Sequence, residues 1–152
     1  MKLAEALIER ADLQRRLDEL ESRIGSNAIF QEGDTPSEDP AALLRQFEDI
    51  TARLEELIVK INVTNNETVL EEGTTMVAAL AKRDIFKRKQ KAYRGFATSA
   101  TPSTNRYSSS EIRFVSALDV MDIQKKADKI AKQYREIDSA IQQANWVTAL
   151  KE

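Results

Sequence analysis

The 152 residues include no cysteine and no histidine. Without Cys there is no disulfide, no thiolate nucleophile and no Cys-based metal site. Without His the commonest acid–base group and the usual transition-metal ligand are missing. Breakers are scarce too: the chain has four Gly and three Pro, where average usage gives roughly eleven and eight. That excludes a loop-rich, many-stranded β fold and favours long helices. No charge sign dominates, since 23 Lys and Arg meet 25 Asp and Glu for a net charge of −2. A chain so balanced has no general attraction to nucleic acid or to an acidic membrane. No run approaches the roughly 20 apolar residues of a spanning helix. Glu5 and Glu9 interrupt the opening stretch, where a signal peptide keeps an unbroken apolar core. A cytoplasmic location is expected.

What is present is helical periodicity. Leu3, Ala6, Arg10, Leu13, Leu17, Leu20 and Ile24 step by three and four, a heptad seam broken only by Arg10. A first helix over residues 2–23 is predicted, with Gly25 as its C-cap. Asp39 and Pro40 form a start signal for a second helix, a capping side chain followed by a proline at the first helical position. Its seam is Leu43, Phe47, Ile50, Leu54, Leu57 and Ile61. Thr74 or Thr75 caps a third helix reaching residue 94, with Gly95 as its stop. On it, Ile85, Phe86, Ala92, Tyr93 and Phe96 share one arc at 100° per residue. A last helix starts near Asp119, with Val120, Ile123, Ala127, Ile130, Tyr134, Ile137, Ile141 and Ala144 as its seam. Ile50, Leu54, Leu57, Ile130, Ile137 and Ile141 are the expected core.

Two segments read differently. Residues 28–32 and 112–118 (IRFVSAL) have extended character, and their pairing would make a small two-stranded element. A turn is expected at Glu32-Gly33-Asp34, and the Ser- and Thr-rich residues 97–110 read as a mobile loop. The predicted fold is therefore mainly α: a single domain over residues 1–152, an antiparallel four-helix bundle with coiled-coil-like seams and a small β element.

The segments MKLAEALIERADLQRRL, QEGD at 31–34, RYSSSEIRFV and QQANWVTAL resemble a family of small uncharacterised bacterial proteins, some named septicolysin after a pore-forming toxin. The resemblance spans nearly the whole chain and implies an all-helical homo-oligomer, a hexamer in our reading. It implies no catalytic or binding residues, because the family has no established activity. The sequence itself shows neither an export signal nor a long charge-free amphipathic hairpin.

The candidates for chemistry are few. Glu5 and Glu9, Glu9 and Asp12, Asp18 and Glu21, and Glu67 and Glu71 lie three or four apart. A carboxylate-only Mg²⁺ site needs acidic pairs on two facing helices, whereas the seams of helices two and four are apolar. Solvated charges paired with neighbours such as Arg16 or Arg23 are the expectation. No phosphate-binding Gly-rich motif occurs, and Ser108-Ser109-Ser110 has no activating base. No enzyme activity, catalytic residue, metal or cofactor is expected.

The remaining candidate is the basic block of residues 82–94, with seven Lys and Arg against Asp84 alone. Arg83, Lys87, Lys91 and Arg94 form a stripe suited to anions or to a partner's carboxylates. Carboxylate pairing, for example with Glu32, Asp34, Glu38 or Asp39 of the same assembly, is the expectation here. Nucleic acid is the lesser alternative and membrane contact is left open. Leu7, Ile8, Leu44, Ile58, Ile85, Phe96, Phe114 and Trp146 lie outside the seams, and one core is not expected to bury them all. Self-association would cover them, so the expected role is structural or binding, as a homo-oligomer.

Overall fold

The computed structural model describes residues 1–102 and 114–152. Among the described residues there are four helices: α1 (Leu3–Asn27), α2 (Pro40–Glu67), α3 (Met76–Ala100) and α4 (Val120–Val147). The protein is mainly α. It divides into two compact units, Met1–Val69 with Gln143–Glu152, and Leu70–Gln142.

In the first unit α1 and α2 form an antiparallel hairpin. Leu3, Ala6, Leu13, Leu17 and Leu20 are buried from α1, and Leu43, Leu57 and Ile61 from α2. Arg53 Nε reaches from α2 to Glu9 Oε1 at 3.0 Å. Arg10 interrupts the α1 seam, and its buried Nε has no hydrogen-bond partner among the described residues. The start of α2 is as predicted: Pro40 opens it, and Asp39 Oδ1 accepts the Ala41 N–H at 3.0 Å.

The end of α1 is not where its glycine placed it. Gly25 is helical and the helix continues to Asn27, which is buried and does the terminating. The Asn27 amide donates back to the Arg23 carbonyl, and its oxygen accepts the Glu38 N–H, both at 2.9 Å. One side chain thus ends the helix and anchors the return of the chain. The turn at Glu32-Gly33-Asp34 is present, with Gly33 at φ +91°.

The expected two-stranded element is absent among the described residues. Residues 112 and 113 lie outside them, and 114–118 form no strand. Ile29, Phe114 and Val115 are 87%, 86% and 83% exposed, so neither segment has a covered face to hold a ladder in register. An isolated β-bridge joins Lys2 with Ala149. Around it the Leu3 N–H donates to the Thr148 carbonyl and the Leu150 N–H to the Met1 carbonyl, both at 3.0 Å. The Lys151 N–H donates to Thr64 Oγ1 at 2.9 Å, which satisfies the fully buried threonine.

The second unit opens with a turn closed by Leu70 N–H to Thr74 carbonyl and Gly73 N–H to Leu70 carbonyl, both 2.8 Å. Gly73 supplies the φ of +84° that this turn requires. Thr75 Oγ1 then caps α3 by accepting the Ala78 N–H at 3.3 Å. The helix runs through Gly95 to Ala100, so residues 97–100 of the expected loop are helical, and residues 103–110 lie outside the described part. Asp119 Oδ1 accepts the Asp122 N–H at 2.9 Å and starts α4 where expected.

The core of this unit is rich in alanine: Ala79, Ala97, Ala127 and Ala131 are buried beside Met76, Ile123 and Ile141. Of the six expected core residues, Leu57 and Ile141 are buried, while Ile50, Leu54, Ile130 and Ile137 are only half-buried. A heptad seam fixes which side of a helix is apolar, but burial also needs a second element across from it.

Candidate functional site

The inward seam of α3 is Met76, Ala79, Arg83, Phe86, Gln90, Tyr93 and Ala97, again in steps of three and four. Its ends are buried and its middle half-buried. This differs from the apolar arc expected from the sequence, because the seam includes Arg83 and Gln90. Ile85 and Phe96, which share that arc but lie outside the seams, are exposed. Phe96 rests edge-on against Tyr93, with ring centroids 6.3 Å apart and planes at 84°.

The basic stripe is therefore not one uniform face. Arg83 lies at the rim of the inward seam, its side chain 27% exposed. Its Nη1 is 3.6 Å from Asp138 Oδ1 of α4, and its Nη2 is 3.4 Å from Asp84 Oδ1. Lys87, Lys91 and Arg94 lie on the solvent side and form no ion pair among the described residues. Together with Ile85 and Arg88 they line a shallow groove along α3.

Two of the four carboxylates expected to neutralise the stripe are engaged elsewhere. Glu38 takes both Arg23 nitrogens, with Nε at 3.0 Å, and Asp39 caps α2 and lies 3.8 Å from Arg45. The Arg23 hydrogen bond lowers the Glu38 pKa from its ordinary value. Four of the carboxylates weighed as metal ligands are likewise committed. Glu5 accepts the Lys2 N–H at 2.7 Å, Glu9 pairs with Arg53, Asp12 with Arg15, and Glu67 with Lys151 at 2.9 Å. Among the described residues no three acidic side chains converge as a metal site would need.

Sequence reasoning missed the opposite face of α3, where Lys82, Ile85, Arg88 and Lys89 are exposed and their charges unpaired among the described residues. The signal was available. Counting Arg83 as a seam residue turns Ile85 outward.

Fold and surface together define a long-helix protein with an exposed basic helix. The chain belongs to a family of unknown function, DUF6847, which matches residues 10–150. It is also similar to a functionally unknown conserved protein from Corynebacterium diphtheriae. That crystal structure shares 43% identity and a TM-score of 0.93, covering 99% of each chain. No curated protein matches. Neither finding carries the name septicolysin or a pore-forming role, and no helix among the described residues is long and apolar enough to cross a membrane.

Proposed function

We propose that this chain is a non-enzymatic, cytoplasmic helical protein that works as a homo-oligomer, in a structural or binding role. The observation that carries the reading is the apolar surface its helices leave uncovered. Ile8, Leu44, Ile85, Phe96, Phe114 and Trp146 are each at least half exposed. In the second unit Phe114, Val115, Leu118 and Met121 add to Ile85 and Phe96. Exposed apolar surface is a common mark of an interaction site, and closed symmetric assembly is the usual way for copies of one chain to cover it. Light scattering of the purified chain at micromolar concentration tests this. A discrete multiple of 17.2 kDa is expected, six copies in the hexameric form of the reading. A 17.2 kDa species that persists on concentration overturns it.

A second reading, anion or nucleic-acid binding, is favoured by one observation. Lys87, Lys91 and Arg94 carry exposed charge and form no ion pair among the described residues, although Asp84 lines the same groove. Phosphate binding by these three would weaken steeply with salt. Absence of a salt-sensitive shift with DNA or RNA rejects it.

A further inference from the structure

The two compact units carry opposite charge. Met1–Val69 with Gln143–Glu152 contains 9 Lys and Arg against 16 Asp and Glu, net −7, while Leu70–Gln142 contains 14 against 9, net +5. A chain that is nearly neutral as a whole is thus strongly polarised along its sequence. Each unit also has one helix whose outer face mixes apolar side chains with a single sign of unpaired charge.

On α2 that face is Leu44, Glu48, Ala52, Glu55 and Val59, all exposed. On α3 it is Ala78, Lys82, Ile85 and Lys89, all exposed, followed by half-buried Ala92 and exposed Phe96. Glu48, Glu55, Lys82 and Lys89 enter no ion pair among the described residues. Both carboxylates and both amines are two helical turns apart, roughly 10 Å at the helical rise. An antiparallel alignment that sets Lys89 against Glu48 and Lys82 against Glu55 does more than pair the charges. It places Ile85 opposite Ala52 and Ala78 opposite Val59, a large side chain against a small one each time. Interleaving of that kind is what close helix packing requires.

We infer that the outer face of α3 is the docking site for the outer face of α2 from a second copy of this chain. The occupant is a copy because the same chain carries both the basic apolar face and its acidic complement. The contact joins unlike faces, so every copy offers one face and receives another, and the assembly closes as a reciprocal pair or a ring or extends into a fibre. This rests on the self-association reading and adds the surface to it.

Charge reversal on the full-length chain tests the assignment. One variant carries Glu48→Lys with Glu55→Lys, the other Lys82→Glu with Lys89→Glu. All four positions are exposed, so far-UV circular dichroism should match the unaltered protein. Each variant alone sets like charges face to face and should fall to 17.2 kDa by light scattering. Mixing the two should restore assembly, because alternating copies then oppose Lys to Glu at every contact. If a double variant loses its helical spectrum, the fourfold variant, with both faces reversed, should still assemble alone. Double variants that keep the full assembly mass overturn the inference and leave self-association standing, as does a mixture or a fourfold variant that stays monomeric. An unaltered protein at 17.2 kDa overturns both.

Discussion

Leu57 is completely buried, while Leu54, one turn earlier on the same seam of α2, is half-buried. Removing either side chain down to Ala deletes the same atoms but leaves different holes. Leu57→Ala should cost about 2–5 kcal/mol in urea unfolding. Leu54→Ala should cost less than half of that, because solvent already reaches its site. Equal losses would show that Leu54 is covered in solution. Glu38 makes a second test. Its carboxylate is held below its ordinary pKa of 4.5, first by the hydrogen bond from Arg23 and then by the same charge. A depressed folded value adds stability above the ordinary pKa and loses it as pH falls through the folded one. The melting temperatures of the unaltered protein and Glu38→Gln should therefore differ at pH 7 and converge in acid, below 4.5. A gap that stays constant with pH would show that the pair is not formed.

Helix ends depended on side chains more than on glycines. Gly25 and Gly95 are both helical, and a Cβ added at either meets nothing within 4 Å. Gly25→Ala and Gly95→Ala should each stabilise the protein, by about 0.5–1 kcal/mol, by restricting the unfolded chain. If either helix stopped at its glycine, that substitution would destabilise instead. The starts of α2, α3 and α4 were legible because Asp39, Thr75 and Asp119 act on backbone N–H groups two or three residues away. The end of α1 was not, because Asn27 works through Glu38, eleven residues on. The face of α3 was misjudged for a related reason. Arg83 continues the three-and-four spacing of the inward seam, but the carboxylate beside it is Asp138 of α4, and nothing local to α3 announces that partner. The basic block itself was visible in the sequence, but which cations would remain unpaired was not.

At the scale of the whole molecule, a net charge of −2 conceals a separation of −7 from +5. Composition alone predicts weak electrostatics, whereas the division into units predicts strong ones. Opposed charges at a rim act through solvent and are screened over about 10 Å at 0.1 M salt. Raising ionic strength from 50 mM to 500 mM should shift the assembly toward smaller species, with dilution acting in the same direction. A mass independent of salt would assign the association to apolar contact alone.

The bridge between Lys2 and Ala149 has a kinetic consequence. Joining residues 147 apart in sequence closes a loop whose entropy cost exceeds that of a ten-residue loop by about 2 kcal/mol. Contacts of such long range tend to form late in folding, after the local helical hairpins have shortened the effective path. The Leu3 and Leu150 amides, which donate across this seam, should therefore exchange with deuterium whenever the two chain ends part, even while the helices stay intact. Their exchange rate is a clock for the opening of the longest loop in the protein.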